Sequence, residues 1–345
     1  MWTLSNRQKL LFTNNTAFSV SNINAYLLNA PNIIVENRSQ PICNVPNMSV
    51  GSCPTDGGGF IIEMSEYEEF IKKEPNSKQY IHPYIGSEEF IRNQRRFCLW
   101  LKDCPLMDLH KMPCVLERVK RVKEFRLASV KEQTKRRADT PTLFAEDRYI
   151  PKRSLIIPMA SSENRRYVPM GFISAETIAS NLASVIPDCD LYLFGVITSN
   201  VSMAWMRVVG SRLKSDYRYS ASLVYNTFPF PTPTDVQKAK IEQTAQAILD
   251  ARSLHPDCSL AVLYDEVTMP PELRKAHQNN DRAVMEAYGF DWRTMTESEC
   301  VAELFKLYQK LVDAEKPKVP LSNGEGDLGG EAKKPKRTRK KKTEE

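Results

Sequence analysis

The stretch "SRLKSDYRYSASLVYNTFPFPTPT" (residues 211–234) divides the chain into two kinds of sequence. It sets Arg212, Lys214, Asp216 and Arg218 beside an apolar run that reads as a buried strand, and it ends on Pro229, Pro231 and Pro233. Alternating prolines fix φ and remove backbone donors, so the ladder reads as an extended, semi-rigid connector and a domain boundary. Beyond it the pattern is helical. Ile241, Ala245, Ile248 and Leu249 recur at helical spacing, and a second helix is expected between Pro270-Pro271 and Gly289. A third follows a capping box of Thr296 and Glu299, with Val301, Leu304, Phe305, Tyr308 and Leu311 on its apolar side.

Before the ladder, helix and strand signals mix. Helices are expected at 65–73, 87–101 (capped by Ser87), 113–137 and 200–213. Strands are expected at Ile33–Val35 and at 153–159, 165–173 and 191–199. The fold class is therefore α+β, a mixed domain over 24–230 followed by a small helical domain over 235–315. Residues 316–345 are low in complexity and read as a disordered basic tail.

Charge separates along the same line. Residues 1–234 carry 29 basic against 22 acidic side chains, and residues 235–315 carry 9 against 15. A polyanion is thus expected on the first two thirds. The eight cysteines form no C-x-x-C pair and the histidines are scattered, so a zinc site is not expected. No apolar run reaches the ~20 residues that span a bilayer, and a cytoplasmic location is expected.

Three segments hold chemistry suited to nucleic acid. The 113–137 helix presents Arg118, Lys120, Arg121 and Lys123, which either track phosphates or form a solvated face. "PMASSENRRYVPMGF" (158–172) clusters Ser161, Ser162, Glu163, Asn164, Arg165 and Arg166, side chains that can bond phosphates and base edges or make a polar turn. Lys214 and Asp216 either pair with each other or read the guanine acceptors and the cytosine amino group of one base pair. Enzyme signatures are wanting. "DGGGF" (56–60) lacks the Gly-Lys-Ser/Thr of a phosphate loop, "GEGDLGG" (324–330) follows no strand, and neither G-x-S-x-G nor H-E-x-x-H occurs.

The segments "QPICNVPNMSVGSCPTDGGGFII", "YIHPYIGSEEFIRNQRRFCLWL", "SSENRRYVPMGFIS" and "SRLKSDYRYSASLVYNTFPFP" resemble the target-recognition domain of MmeI-like DNA methyltransferases. "LAVLYDEVTMPPELRKAHQNNDRAVMEAYGF" resembles their helical C-terminal domain. The resemblance covers roughly residues 15–312. It implies the DNA-reading part of an adenine-specific enzyme that uses S-adenosylmethionine, with residues 1–23 a remnant of the end of the methyltransferase core. The family's glycine-rich cofactor motif and its Asn-Pro-Pro-aromatic catalytic loop do not occur here, so no catalytic or cofactor-binding residue is assigned. The implied partners are double-stranded DNA and a methyltransferase catalytic domain or subunit, with no membrane. The resemblance assigns base reading to Ser161–Arg166 and to Lys214, Asp216 and Arg218, and the basic Arg118, Lys120, Arg121, Lys123 and Arg212 are the candidates for the DNA backbone on their charge. The alternatives are a split methyltransferase subunit, active only with a separate catalytic polypeptide, and an inactive remnant or interaction protein.

Overall fold

Residues 9–13 and 16–315 are described by a computed structural model; the expected basic tail lies outside them. The chain opens with an antiparallel hairpin, β1 (Lys9–Thr13) and β2 (Thr16–Val20). After a turn-rich stretch come β3 (Ser49–Val50) and β4 (Ile61–Glu63), which leads into α1 (Met64–Lys73). There the Glu66 side chain accepts from the Glu63 N–H, satisfying a donor at the helix start. Next are β5 (Ile81–Ile85), α2 (Ser87–Arg92), β6 (Arg96–Leu99), α3 (Leu106–Leu109), α4 (Pro113–Leu127) and α5 (Glu132–Arg136). Short strands β7 (Ser154–Pro158), β8 (Ala160–Ser161), β9 (Gly171–Ile173), β10 (Ile178–Ala179) and β11 (Ala183–Pro187) follow. Then come α6 (Leu191–Ile197), α7 (Asn200–Val209) and a hairpin of β12 (Arg212–Leu213) and β13 (Asp216–Arg218). Past the proline ladder lie α8 (Asp235–Ser253), α9 (Leu260–Leu263), α10 (Pro271–Tyr288) and α11 (Glu297–Glu315). The mixed α+β class is as expected, with helices dominating the C-terminal part.

Beyond the opening hairpin, the strands form two four-stranded sheets, β10-β5-β6-β4 and β3-β11-β7-β9, and a small third, β12-β13-β8. The first sheet shares a core with α4, built on Phe60, Ile62, Trp100, Val115, Val122 and Phe144. The larger core crosses the ladder. Leu155, Phe194, Trp205 and Phe228 from before it pack in one cluster with Ile241, Leu273, Leu304 and Phe305 from after it. Phe228 at the start of the ladder is buried there, so the extended connector is a strap packed against the core. Thr234 at its end caps α8 in a reciprocal box with Gln237.

Several elements differ from the sequence pattern. Residues 191–197 form a helix, not a strand, because Asp190 accepts from the Leu193 N–H at 2.8 Å and the apolar run is buried on every side. A continuous apolar run does not by itself separate the two states. Gly195 permits the close approach of α6 to α8: a Cβ there would lie 2.7 Å from the Ile241 side chain. The helix at 87 stops at Arg92, where Asn93 turns left-handed (φ 55°), and Gly86, not Ser87, is its cap. Ser87 instead donates to the Leu182 carbonyl. The basic helix breaks after Leu127, and only 171–173 of the strand expected at 165–173 pairs. Ile33 and Val35 are buried and Ile34 exposed, as in a strand, but Val35 N–H donates to the Tyr26 hydroxyl and no sheet forms there. Residues 221–225 make a wide helical turn where a strand is expected. The capping box of Thr296 and Glu299 is present, and Gly289 ends α10 at φ 74°.

Candidate nucleic-acid interface

Forty-seven residues (167–213) separate the two clusters that sequence reading marks for base contact, and the third sheet joins them. Tyr217 lies opposite Ser161 and Arg218 opposite Ala160, while Tyr219 N–H donates to the Met159 carbonyl at 3.0 Å. The hairpin tip is the two-residue loop Lys214-Ser215. Lys214 sits there at φ 57°, a conformation that costs a non-glycine residue about 1 kcal/mol. Lys214, Asp216 and Arg218 are exposed, and among the described residues their side chains have no hydrogen-bond or salt-bridge partner. The local Lys214–Asp216 ion pair is therefore not formed.

Arg212 ties the two clusters together. Its guanidinium lies 4.3 Å from the Tyr217 ring centre, donates to the Ser215 carbonyl at 2.9 Å and reaches the Glu163 carboxylate at 3.6 Å. On the other segment Ser162 organises a tight turn. Its Oγ accepts from Asn164 N–H at 3.3 Å and its carbonyl from Arg165 N–H at 3.1 Å. Glu163, Asn164 and Arg166 face solvent on this turn, and Arg165 is half-buried. Burial pushes the Arg165 guanidinium down and Asp216 opposes that shift, so the two clusters also share a field. Ser161 does not take part: its side chain is buried at 4% exposure in β8, its Oγ without a partner.

On α4 the geometry divides the basic residues. Arg118 is withdrawn from the surface, donating to the carbonyls of Gly59 (3.3 Å) and Ile61 (2.9 Å) and to Glu66 (3.0 Å), so it presents no charge to a phosphate. Lys120, Arg121 and Lys123 are exposed, with Lys120 only 3.9 Å from Glu124. Arg126 is fully buried and donates to five carbonyls, of Pro54, Thr55, Arg137, Thr140 and Leu143. Arg118 and Arg126 fall on the stripe of Val115, Val119 and Val122, so helical spacing already carried the signal.

A family model described as MmeI, target recognition domain, matches residues 29–232, and one described as MmeI, C-terminal domain, matches residues 233–314. The chain belongs to the MmeI family. It is 40% identical over 305 residues to DNA methyltransferase A of Bacillus subtilis (strain 168), covering 88% of this chain and 34% of that relative. The structure of the Type IIL restriction-modification enzyme MmeI in complex with DNA superposes with a TM-score of 0.82 at 45% identity, over 86% of this chain and 40% of that one. The chain thus spans well under half of either relative.

Within this MmeI-family chain, the two matched regions meet at a buried polar joint. Tyr167, next to Arg166, donates to Asp281 of α10 at 2.6 Å, and Asn200 N–H donates to the other carboxylate oxygen at 2.8 Å. Burial raises the Asp281 carboxyl to about 6, with these two hydrogen bonds opposing the rise. The Tyr167 ring stacks on His277 at 4.1 Å, and burial holds that imidazole well below its usual range. The sequence marked none of these residues, because a lone His and Asp on a helix carry no motif.

The described residues of the MmeI-family regions do not fit S-adenosylmethionine. Their only parallel strand pair is β5 with β10, and β5 enters the six-residue α2 through Gly86. The Gly86 N–H there already donates to the Glu89 carboxylate at 2.9 Å, filling the place an anionic ligand would take. Among the described residues no group of His, Cys, Asp and Glu could hold a metal ion, and no helix is long and apolar enough to cross a membrane.

Proposed function

We propose that this chain reads a specific sequence in duplex DNA and directs an adenine-specific methyltransferase of a restriction-modification system whose catalytic domain is not within these 345 residues. The observation that carries this reading is the pairing of β8 with β13. It brings the exposed Asn164–Arg166 turn beside Lys214 and Asp216, within the region matched to a target recognition domain. Lysine donates to guanine O6 and N7, aspartate accepts from cytosine N4, and arginine grips guanine bidentately. Lys120, Arg121, Lys123 and Arg212 are assigned to the backbone, where contacts set affinity and register but carry no sequence information. Such a reader acts in the cytoplasm, on the cell's DNA.

The test is selection from randomised duplex, followed by anisotropy on the selected site. Exchanging Lys214 and Asp216 is expected to change preference at one base pair by about 1–3 kcal/mol. Lys120→Ala and Arg121→Ala should weaken all duplexes alike and lower the salt slope by about one each. Binding without sequence preference at moderate salt overturns the reading.

The alternative within the same family is a split enzyme, active only once a catalytic polypeptide is added. The β1–β2 hairpin favours it: Leu10, Phe12 and Phe18 are 44%, 69% and 52% exposed, and an isolated two-stranded hairpin is marginal in water. Apolar side chains on both its faces suit packing against a catalytic core. S-adenosylmethionine is then the methyl donor held by that core. Labelled methyl transfer to DNA is expected only with both polypeptides present, and cofactor binding by this chain alone overturns this division of labour.

A further inference from the structure

Three links from the C-terminal helices hold the backbone that follows the base-reading turn. The first is the Tyr167–Asp281 hydrogen bond, anchored in turn by Asn200 at the start of α7. The second runs through Arg207, which donates to the Arg166 carbonyl at 3.3 Å while both its Nε and Nη2 bond Glu297 of α11 at 2.9 Å. The third is Arg252 of α8, which donates to the Met170 carbonyl at 2.6 Å. Arg252 also donates to the Tyr264 hydroxyl, which lies 2.7 Å from His277 Nε2. His277 completes the circuit by stacking on Tyr167.

These links surround residues 166–170 and bolt the far end of the turn to α8, α10 and α11, with the Arg166 guanidinium resting 5.7 Å from the Tyr167 ring centre. Asp281 and His277 are buried at 5% and 0% exposure, so neither side chain is open to a ligand arriving from solvent. A group that reads a base edge must be held within about half an ångström, and locked neighbours supply that precision. We propose that Tyr167 and Asp281 are positioning residues that set the sequence preference of the Asn164–Arg166 turn without touching DNA.

This rests on the base-reading function above, and the experiment separates the two. Asp281→Asn and Tyr167→Phe are made in the full chain; the phenylalanine keeps the stack on His277 and removes only the hydroxyl. Amide hydrogen exchange is read without DNA, and the ratio of affinities for selected and random duplex is read with it. In both variants exchange at Asn164 and Arg165 is expected to rise about ten-fold or more, with α4 amides unchanged. The preference ratio is expected to fall about ten-fold, with random-duplex affinity within about two-fold of the parent. Unchanged exchange at Asn164 and Arg165 overturns the proposal, as does a fall in affinity that is equal for all duplexes. If Asp281→Asn does not fold, Tyr167→Phe decides. A parent chain with no base preference refutes the reading function and the preference-setting role with it, whereas a preference kept in both variants refutes the positioning role alone.

Discussion

Arg126→Ala is expected to lower the stability of the chain by about 4 kcal/mol, more than any charge removal on the exposed face of the same helix. The guanidinium donates to five carbonyls at 2.7–3.1 Å, drawn from the 54–55 loop and from residues 137, 140 and 143. It is the pin that closes these loops over the C-terminal end of α4. Each buried carbonyl left without a donor costs about 1–3 kcal/mol, with entering water recovering part of the sum. Arg126→Lys keeps the charge but has three donors on one nitrogen, so it should recover only part of the loss. Urea unfolding measures the difference, with Lys120→Ala as reference at about 0.5 kcal/mol or less. A loss below about 1 kcal/mol for Arg126→Ala would mean that the carbonyls are satisfied without it. The same experiment tests the division of α4 into buried and exposed cations, because a phosphate-binding arginine would weaken DNA binding without unfolding the chain.

Trp205→Ala is the second large effect, with an expected loss of about 4 kcal/mol. The indole is fully buried where α7 meets the ladder and α11, with ring centres 5.3 Å from Phe305, 5.9 Å from Tyr308 and 6.4 Å from Phe228. Its N–H donates to Thr227 Oγ1 at 3.2 Å, and that hydroxyl donates onward to the Leu223 carbonyl. Truncation leaves a cavity at the joint between the matched recognition and C-terminal regions and strips the hydroxyl of its donor. Because one core crosses the ladder, amides of α7 and α11 should lose exchange protection together in the variant. Protection lost in α11 alone would show two independent units. A lesion in the helical part should therefore reach the Asn164–Arg166 turn, since Glu297, through Arg207, and Asp281, through Tyr167, both brace it.

Much of the candidate interface is legible in the residues themselves. The charge difference across the ladder points a polyanion to the first two thirds, and the mixture at 211–218 stands out as a candidate recognition surface. What local pattern misjudges are positions whose environment comes from far away. Arg118 is grouped with its charged neighbours by composition, although its place on the valine stripe turns it into a space walled by Gly59, Ile61 and Phe70. Ser161 looks like a contact residue because Ser162–Arg166 are polar, yet strand alternation turns it inward. Leu191–Ile197 reads as a strand because an apolar run has no period, and only the Asp190 cap and packing against α8 make it a helix.

By itself the sequence determined the capped helices beyond the ladder, the mixed character before it and the membership in a DNA-reading family, since propensity, caps and long motifs act over short separations. Only the tertiary structure decided that β8 and β13 bring residues 158–166 and 211–218 together, that the ladder is packed, and that α8, α10 and α11 brace residues 166–170. Those outcomes depend on strand register and on buried hydrogen bonds between residues up to 114 positions apart, such as Tyr167 with Asp281. A pairing between distant segments is settled by which groups can be buried and satisfied together, and no local pattern encodes that choice.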